Sequence, residues 1–394
     1  MAIRSLAIAG LFMLFGFFSA GSTSSSTNLA WEPDTLDQWV GRGLEELMEI
    51  ERRFDLLEAP LLDRVKRLDS VLRESHKVNY RKWRRLWQER QEIGDQLETF
   101  GTEKEIQLLK VRYKKGIDLI KLLYEKILAL DHHFSGMQIY QNILLLSNPN
   151  TYPDFQKNRD FLEEQLKKKN ALQLPGILHS NPYMSAAFSI VATFIGEGEP
   201  KERQQELERI ACILDFTVRM GAELSIIQHE TEYLKTANQA LKQECERLFE
   251  DYVKVVNYLV PLDKCRSGDD WENVYLELDE FIGTLSRETS QDADPASKSH
   301  WAREQVNLEF ATQRVADFIG KYQSFVNLGS QYYQKFDNIT STYENEEVCK
   351  QELPRQFEEL RLDIRLTIEK FSNTYYLPEI QGSRMKDLLY GSAE

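Results

Sequence analysis

The chain has 394 residues, with 63 acidic and 49 basic side chains and a formal net charge of −14. Such an acidic chain repels nucleic acid on average, which argues against a nucleic-acid-binding protein. Only 19 residues are Gly and 11 are Pro, and this scarcity of turn-forming residues favours a few long elements over many short ones.

The N-terminus has the pattern of a secretory signal. A single positive charge precedes an apolar run over 6–18, and small residues follow it. The run is shorter than the roughly 20 residues that a membrane-spanning helix requires. We therefore predict a signal peptide over 1–21, cleaved after Gly21 or Ser22, and a flexible tether over 22–34 that is rich in Ser and Thr. The alternative is an uncleaved N-terminal anchor.

Residues 35–148 are predicted to form an N-terminal helical hairpin. Apolar side chains recur over 36–72 with a mean spacing of about 3.6 residues, which is the period of an α-helix. Pro60 is expected to kink or break this helix. Gly101 is expected to end the first long segment, and the capping-box sequence that starts at Thr102 to begin the next. The two helices would then fold back on each other at this point.

An irregular connector is predicted over 149–199, with a short apolar helix over 183–195. This segment carries no charge but is too short to cross a bilayer as one helix. It is interpreted either as a core helix packed on all sides or as a concealed membrane-inserting segment of the kind found in helical pore-forming proteins. The residues that would enter the membrane are Ala187, Ile190, Val191 and Phe194.

A C-terminal helical bundle is predicted over 200–376, and the remaining residues, 377–394, show little pattern and are predicted to be a tail. The predicted helices run from Pro200 to just before Pro261, then over about 269–285, 300–336 and 344–371. Strand patterns are absent beyond a few residues, and the apolar stripes do not keep a strict heptad. The predicted fold class is all-α: an elongated bundle of long amphipathic helices with coiled-coil character.

The four cysteines are not spaced as a CxxC redox or zinc motif. Cys212 and Cys245 lie in one predicted helix about 50 Å apart and cannot bond to each other. Cys265 lies in a polar turn and Cys349 near a helix start, so these two form the candidate disulfide. The alternative is four unbonded, mostly buried thiols.

A basic and aromatic segment over 80–87 is the main candidate site. Its Tyr and Trp residues are spaced i, i+3 and i+7, on one helical face. If the chain folds back at Gly101, this segment faces a second basic stretch. The candidate patch for an anionic partner is Arg81, Lys82, Arg84, Arg85, Arg112, Lys114 and Lys115. It would dock on phospholipid headgroups or a polyanionic glycan. The alternative is a core-facing aromatic stripe with ordinary surface charges.

The sequence contains no motif for catalysis, phosphate binding or metal binding, so no catalytic residue, metal site or cofactor is predicted. His132 and His133 are adjacent on a helix and point in different directions, which is poor for joint metal binding. Asn338 begins a glycosylation sequon, which matters only in a eukaryotic host.

These observations together predict an exported, non-enzymatic helical scaffold, periplasmic or secreted, that binds another macromolecule of the cell envelope or extracellular space. A protein partner or a second copy of the chain is expected, with anionic lipid or glycan as further candidates. Neither nucleic acid nor a membrane-spanning helix after signal removal is expected. The alternative function is a membrane-active, pore-forming-type protein that inserts 183–195. An enzyme without a recognised motif is the third hypothesis.

Overall fold

The computed structural model describes residues 33–74, 79–135, 148–168, 201–288, 295–345, 355–378 and 382–391. Within these ranges the chain forms nine α-helices and one 3-10 turn, and it forms no strand. The helices are α1 (Pro33–Arg73), α2 (Tyr80–Ser135), α3 (Pro153–Lys168), α4 (Lys201–Lys254), α5 (Leu262–Ser267), α6 (Trp271–Glu288), α7 (Pro295–Asn345), α8 (Arg355–Tyr375) and α9 (Ser383–Tyr390). The all-α class predicted from the sequence is confirmed.

The first two helices, α1 and α2, pack as an antiparallel pair. Asp69 Oδ1 lies 3.3 Å from Arg90 Nε, and Asp55 Oδ1 lies 3.1 Å from Lys104 Nζ. Residues nearer the start of α1 thus lie opposite residues nearer the end of α2, as in a hairpin. The chain turns between the end of α1 and the start of α2, and α1 continues through Pro60 without ending there.

Gly101 does not end a helix, because α2 runs through it without interruption. The Thr102 hydroxyl donates to the Glu98 carbonyl oxygen at 3.0 Å, inside the helix, instead of capping a new N-terminus. A glycine inside a helix costs only about 1 kcal/mol relative to Ala, and residues on both sides of Gly101 pair with α1. The predicted fold-back at Gly101 is therefore wrong.

A single cluster of buried apolar side chains joins the long helices. The α2 segment from Ile106 to Leu130 packs in the same core as residues of α1, α4, α6, α7 and α9. Burying one Leu, Ile or Phe side chain stabilises the fold by about 1.5–3 kcal/mol. Helices assigned by the sequence to an N-terminal hairpin and to a C-terminal bundle thus share one core.

Tyrosine hydroxyls connect helices across this core. Tyr322 of α7 donates to the carbonyl oxygen of Tyr375 in α8 at 3.1 Å. Tyr375 in turn donates to the carbonyl oxygen of Ala129 in α2 at 3.0 Å. A buried hydroxyl group needs a hydrogen-bond partner, and these backbone oxygens provide it while fixing three helices relative to one another.

The described chain ends in a helix where the sequence predicts a tail. Helix α9 buries Met385, Leu388 and Leu389 and packs against α1, α2 and α7. Arg384 of α9 forms an ion pair with Asp37 of α1. The three apolar residues follow the i, i+3, i+4 helical pattern, but two helical turns are too short for this pattern to stand out in the sequence.

The predicted helix over 344–371 also has a different start. Ser341 and Glu344, whose spacing suggests a capping box, lie inside α7, which continues to Asn345. The next helix, α8, begins at Arg355. A capping-box sequence contributes only about 1 kcal/mol, so it does not interrupt a helix that tertiary packing favours.

Candidate interaction surface

Two helices leave the core together as an arm, defined as residues 55–74 of α1 and 79–105 of α2. Within these ranges only Leu68 and Ile93 are buried. The core begins on α2 at Ile106. At 1.5 Å per residue, the α2 part of the arm is about 40 Å long. Nearly every side chain of the arm is therefore accessible to a partner.

Charge is segregated along this arm. The tip, residues 69–74 and 79–90, holds six basic and three acidic side chains, a net charge of +3. The base, residues 55–68 and 91–105, holds eight acidic and four basic side chains, a net charge of −4. An otherwise acidic protein thus presents one concentrated region of positive charge at the end of the arm.

Three aromatic rings form a row on the α2 side of the tip. The ring centroids of Tyr80 and Trp83 are 6.5 Å apart, and those of Trp83 and Trp87 are 6.4 Å apart, with near-parallel planes in both pairs. Tyr80 is 71% exposed and Trp87 is 44% exposed, whereas Trp83 is half-buried. This aromatic row faces solvent rather than the core.

Four exposed cations accompany the aromatic row. They are Arg81, Lys82, Arg84 and Arg85. Among the residues that the structure describes, the side chains of these four make no ion pair and no hydrogen bond. Other cations of the arm are paired: Arg64 with Glu89, and Arg90 with Asp69. The four cations beside the aromatic row are therefore free to bind an anionic partner.

The second half of the predicted patch, Arg112, Lys114 and Lys115, lies about 40 Å from the tip because α2 is continuous. Lys114 Nζ is 5.1 Å from the ring centroid of Tyr275, and Lys115 Nζ is 4.9 Å from that of Trp39. These cation–π contacts join α2 to α6 and α1. Sequence reasoning predicted one continuous patch, and the structure separates it into a tip surface and a second set of side chains that contact neighbouring helices.

Arg112 is partly buried near the C-terminal end of α9. Its guanidinium lies so close to Gly391 that a Cβ atom there would meet Arg112 Nη2 at 2.6 Å. Burial lowers the pKa of Arg112 below its usual value, while the carboxylates of Glu51 and Glu309 act in the opposite direction. Arg112 therefore contributes to the packing of the chain end.

A partly buried carboxylate lies near the same lysines and was not identified from the sequence. Asp118 of α2 accepts a hydrogen bond from the Tyr275 hydroxyl, and Trp39 also hydrogen-bonds to it. Burial raises the pKa of Asp118, and these hydrogen bonds and the nearby Lys115 partly oppose the shift. The signal available in the sequence was a single acid between the lysines of this part of α2.

The predicted bond between Cys265 and Cys349 is wrong, because Cys265 is a buried free thiol. Cys245 is likewise free and buried, whereas Cys212 is disulfide-bonded. Cys349 lies outside the described residues. The error arose because the exposed-looking sequence around Cys265 belongs to the short helix α5, whose packing buries this thiol.

His133 packs among aromatic side chains rather than in a metal site. Its Nε2 atom lies 2.6 Å from the Tyr333 hydroxyl, and its ring contacts Phe371 and Tyr375. Burial lowers the pKa of His133 to about 4, and the charge of Lys370 acts in the same direction. Across the described part of the chain, no three His, Cys, Asp or Glu side chains are grouped to hold a metal ion.

Several sequence predictions lie outside the described residues. They are the signal peptide over 1–21, nearly all of the tether over 22–34, and the candidate membrane segment with Ala187, Ile190, Val191 and Phe194. Among the described helices, none combines the length and the apolar character needed to cross a bilayer.

Comparisons of the chain with protein families, with curated proteins and with solved structures each give no match. Function therefore has to be inferred from the chemistry of the chain itself.

Proposed function

We propose that the protein is an exported, non-enzymatic helical scaffold that binds a macromolecule or macromolecular assembly of the cell envelope or extracellular space through the tip of its arm. The observation that carries this proposal is the aromatic row beside four unpaired cations on an exposed arm. Exposed aromatic and Arg side chains are characteristic of binding surfaces, where they supply most of the binding energy.

Two further features support export. The first is the N-terminal pattern of one cation, an apolar run over 6–18 and small residues. The second is the disulfide-bonded Cys212, because disulfides persist in oxidising compartments and are rare in the cytosol. If the full chain is expressed in cells, we expect the protein in the envelope or medium to begin after Gly21 or Ser22. Recovery of the uncleaved chain from the cytoplasm alone would contradict export.

Binding through the tip can be tested without knowing the partner. Envelope and extracellular fractions are separated by size and density, and the wild-type protein is compared with the fourfold variant R81Q/K82Q/R84Q/R85Q. We expect the wild type to migrate with a larger assembly and the variant to migrate as the free chain. Identical migration of the two proteins would exclude the tip as the binding surface.

A matched control changes the net charge by the same amount as the fourfold tip variant. The variant K254Q/K264Q/R303Q/R365Q removes four exposed cations that lie outside the arm and, within the described structure, make no ion pair. This control should migrate with the assembly as the wild type does. Loss of binding in both variants would point to a general effect of charge rather than to the tip.

A further inference from the structure

We infer that the partner of the arm tip is the headgroup layer of an anionic phospholipid bilayer, on which the tip docks as a peripheral surface. This inference rests on the proposed function, since it names the partner of the same tip. Two features of the described residues favour lipid over a polyanionic glycan: the stacked aromatic row and an exposed aliphatic side chain on the α1 side of the tip. Charge segregation along the arm sets the orientation in which the protein approaches an anionic surface.

Charge segregation determines how the protein would approach an anionic surface. The tip carries a net charge of +3 and the base of the arm −4, within a chain of −14. The centres of the α2 parts of tip and base are separated by about 20 Å along the helix, which is more than twice the Debye length of about 8 Å at physiological ionic strength. The surface therefore attracts the tip while the acidic base stays largely outside its field, so the arm approaches tip first.

The aromatic row fits the interface between headgroups and acyl chains. Trp and Tyr concentrate at this level of a bilayer, because their rings are apolar with one polar group. Arg and Lys beside them can place their aliphatic stems against the apolar layer and their charges at the phosphates. A sulfated glycan requires the cations, and its hydroxyl- and sulfate-rich surface offers Tyr80, Trp83 and Trp87 much less apolar contact than acyl chains do.

An aliphatic side chain on the α1 side of the tip adds to the apolar character. Val71 is 41% exposed. The aromatic row covers only two turns, about 10 Å of helix. An apolar contact of this size supports shallow, reversible and salt-sensitive binding, in which cations contribute as much as the rings.

Vesicle binding by residues 22–394 tests the inference. This form keeps every described residue and removes the apolar run over 6–18, which would itself partition into lipid. Flotation of the protein with pure phosphatidylcholine vesicles is compared with its flotation with vesicles in which about 30 mol% of the lipid is phosphatidylglycerol. The second vesicles carry a negative surface charge and the first do not. We expect binding only to the anionic vesicles, at least tenfold weaker for R81Q/K82Q/R84Q/R85Q and within about twofold of wild type for K254Q/K264Q/R303Q/R365Q.

The aromatic contribution has its own matched variants. Y80A/W83A/W87A should weaken binding to anionic vesicles at least fivefold, because the interfacial rings are lost. The control Y233A/V306A/F310A truncates three side chains that are each 62% exposed outside the arm, and it should bind as the wild type does. All variants change exposed or half-buried residues, and thermal unfolding checks that each remains folded.

A position-specific measurement shows whether the tip contacts lipid. Brominated acyl chains quench tryptophan fluorescence at short range, and quenching should be present in the wild type and strongly reduced in W83F/W87F. Three results would overturn the inference. The wild type does not float with anionic vesicles, the tip and control variants lose vesicle binding equally, or W83F/W87F leaves the quenching of tryptophan fluorescence unchanged. Retention on heparin without vesicle binding would also overturn it, while tip-dependent assembly in cell fractions would still support the proposed function.

Discussion

Tyr113 of α2 and Tyr252 of α4 donate their hydroxyl groups to each other's backbone carbonyl oxygens. Their rings stack with centroids 4.1 Å apart, and both side chains are fully buried. This reciprocal pair depends on Gly116, because a Cβ atom at that position would lie 2.0 Å from the Tyr252 hydroxyl oxygen. The packing of α2 against α4 at this point therefore requires a residue without a side chain at position 116.

Replacing Gly116 with Ala should destabilise the protein by about 1–3 kcal/mol, because the new methyl group must displace the Tyr252 ring from a packed core. Urea unfolding followed by circular dichroism measures this change. The matched control is G101A in the same helix, where an added Cβ meets nothing within 4 Å. G101A should stabilise the protein by about 0.5–1 kcal/mol, as Ala does inside a helix.

The same control tests the course of α2. If Gly101 ended a helix in a left-handed conformation, Ala at this position would be strained and G101A would destabilise the protein instead. A destabilised G101A would therefore argue that the chain does fold back at this glycine.

His133 should make the stability sensitive to acid. Its pKa is lowered to about 4 in the folded protein, mainly by burial, compared with about 6.5 in an unfolded chain. As the pH falls from 6.5 towards 4, the unfolded chain takes up a proton that the folded protein does not, so unfolding becomes more favourable. The stabilising effect is complete above pH 6.5 and is lost through this window.

The variant H133Q removes this titration and keeps a side chain that can hydrogen-bond to the Tyr333 hydroxyl. Urea midpoints measured from pH 4 to pH 7.5 should fall more steeply for wild type than for H133Q. The neighbouring variant H132Q, at an exposed position, should follow the wild-type profile. Parallel profiles for wild type and H133Q would show that His133 does not control the acid response.

Helix α9 should be required for full stability. Leu388 is fully buried and packs against Gly43 of α1, so L388A should cost about 2–5 kcal/mol. The exposed residue Lys386 in the same helix provides the control, and K386A should lie within about 0.5 kcal/mol of wild type. Equal stability of L388A and wild type in urea would mean that α9 is not docked in solution.

The cysteines can be distinguished chemically. Alkylation of the denatured, unreduced protein should modify Cys245 and Cys265, which are free, and leave Cys212 unmodified. Peptide mass spectrometry identifies the modified residues. C265S should leave the protection of Cys212 unchanged, whereas labelled Cys212 in the wild type would contradict the disulfide.

The sequence predicted the helical class correctly because the 3.6-residue period extends over long segments such as 36–72. It failed at Gly101 because a glycine followed by a capping box is worth only about 1 kcal/mol. The contacts of Lys104 with Asp55 and of Arg64 with Glu89 show that α2 stays paired with α1 on both sides of that glycine. Such long-range contacts cannot be read from local sequence.

For the candidate site as well, the sequence predicted local features but not features that depend on the packing of the helices. The sequence identified Arg81, Lys82, Arg84 and Arg85 correctly as a basic cluster, because charge is local information. It could not decide whether the row of Tyr80, Trp83 and Trp87 faces the core or solvent, because the i, i+3, i+7 spacing is the same in both cases. The answer depends on where α1 and α2 leave the core together.

The docking of α9 beside the start of α1 has a consequence for biogenesis. Leu36 and Val40 are fully buried near the start of α1, and α9 packs on the same helix although Asp37 and its partner Arg384 are 347 residues apart in the chain. During synthesis, α1 leaves the ribosome long before α9 exists, so α1 cannot complete its packing at once. The apolar face of α1 around Leu36 and Val40 therefore stays partly uncovered until α9 has been made.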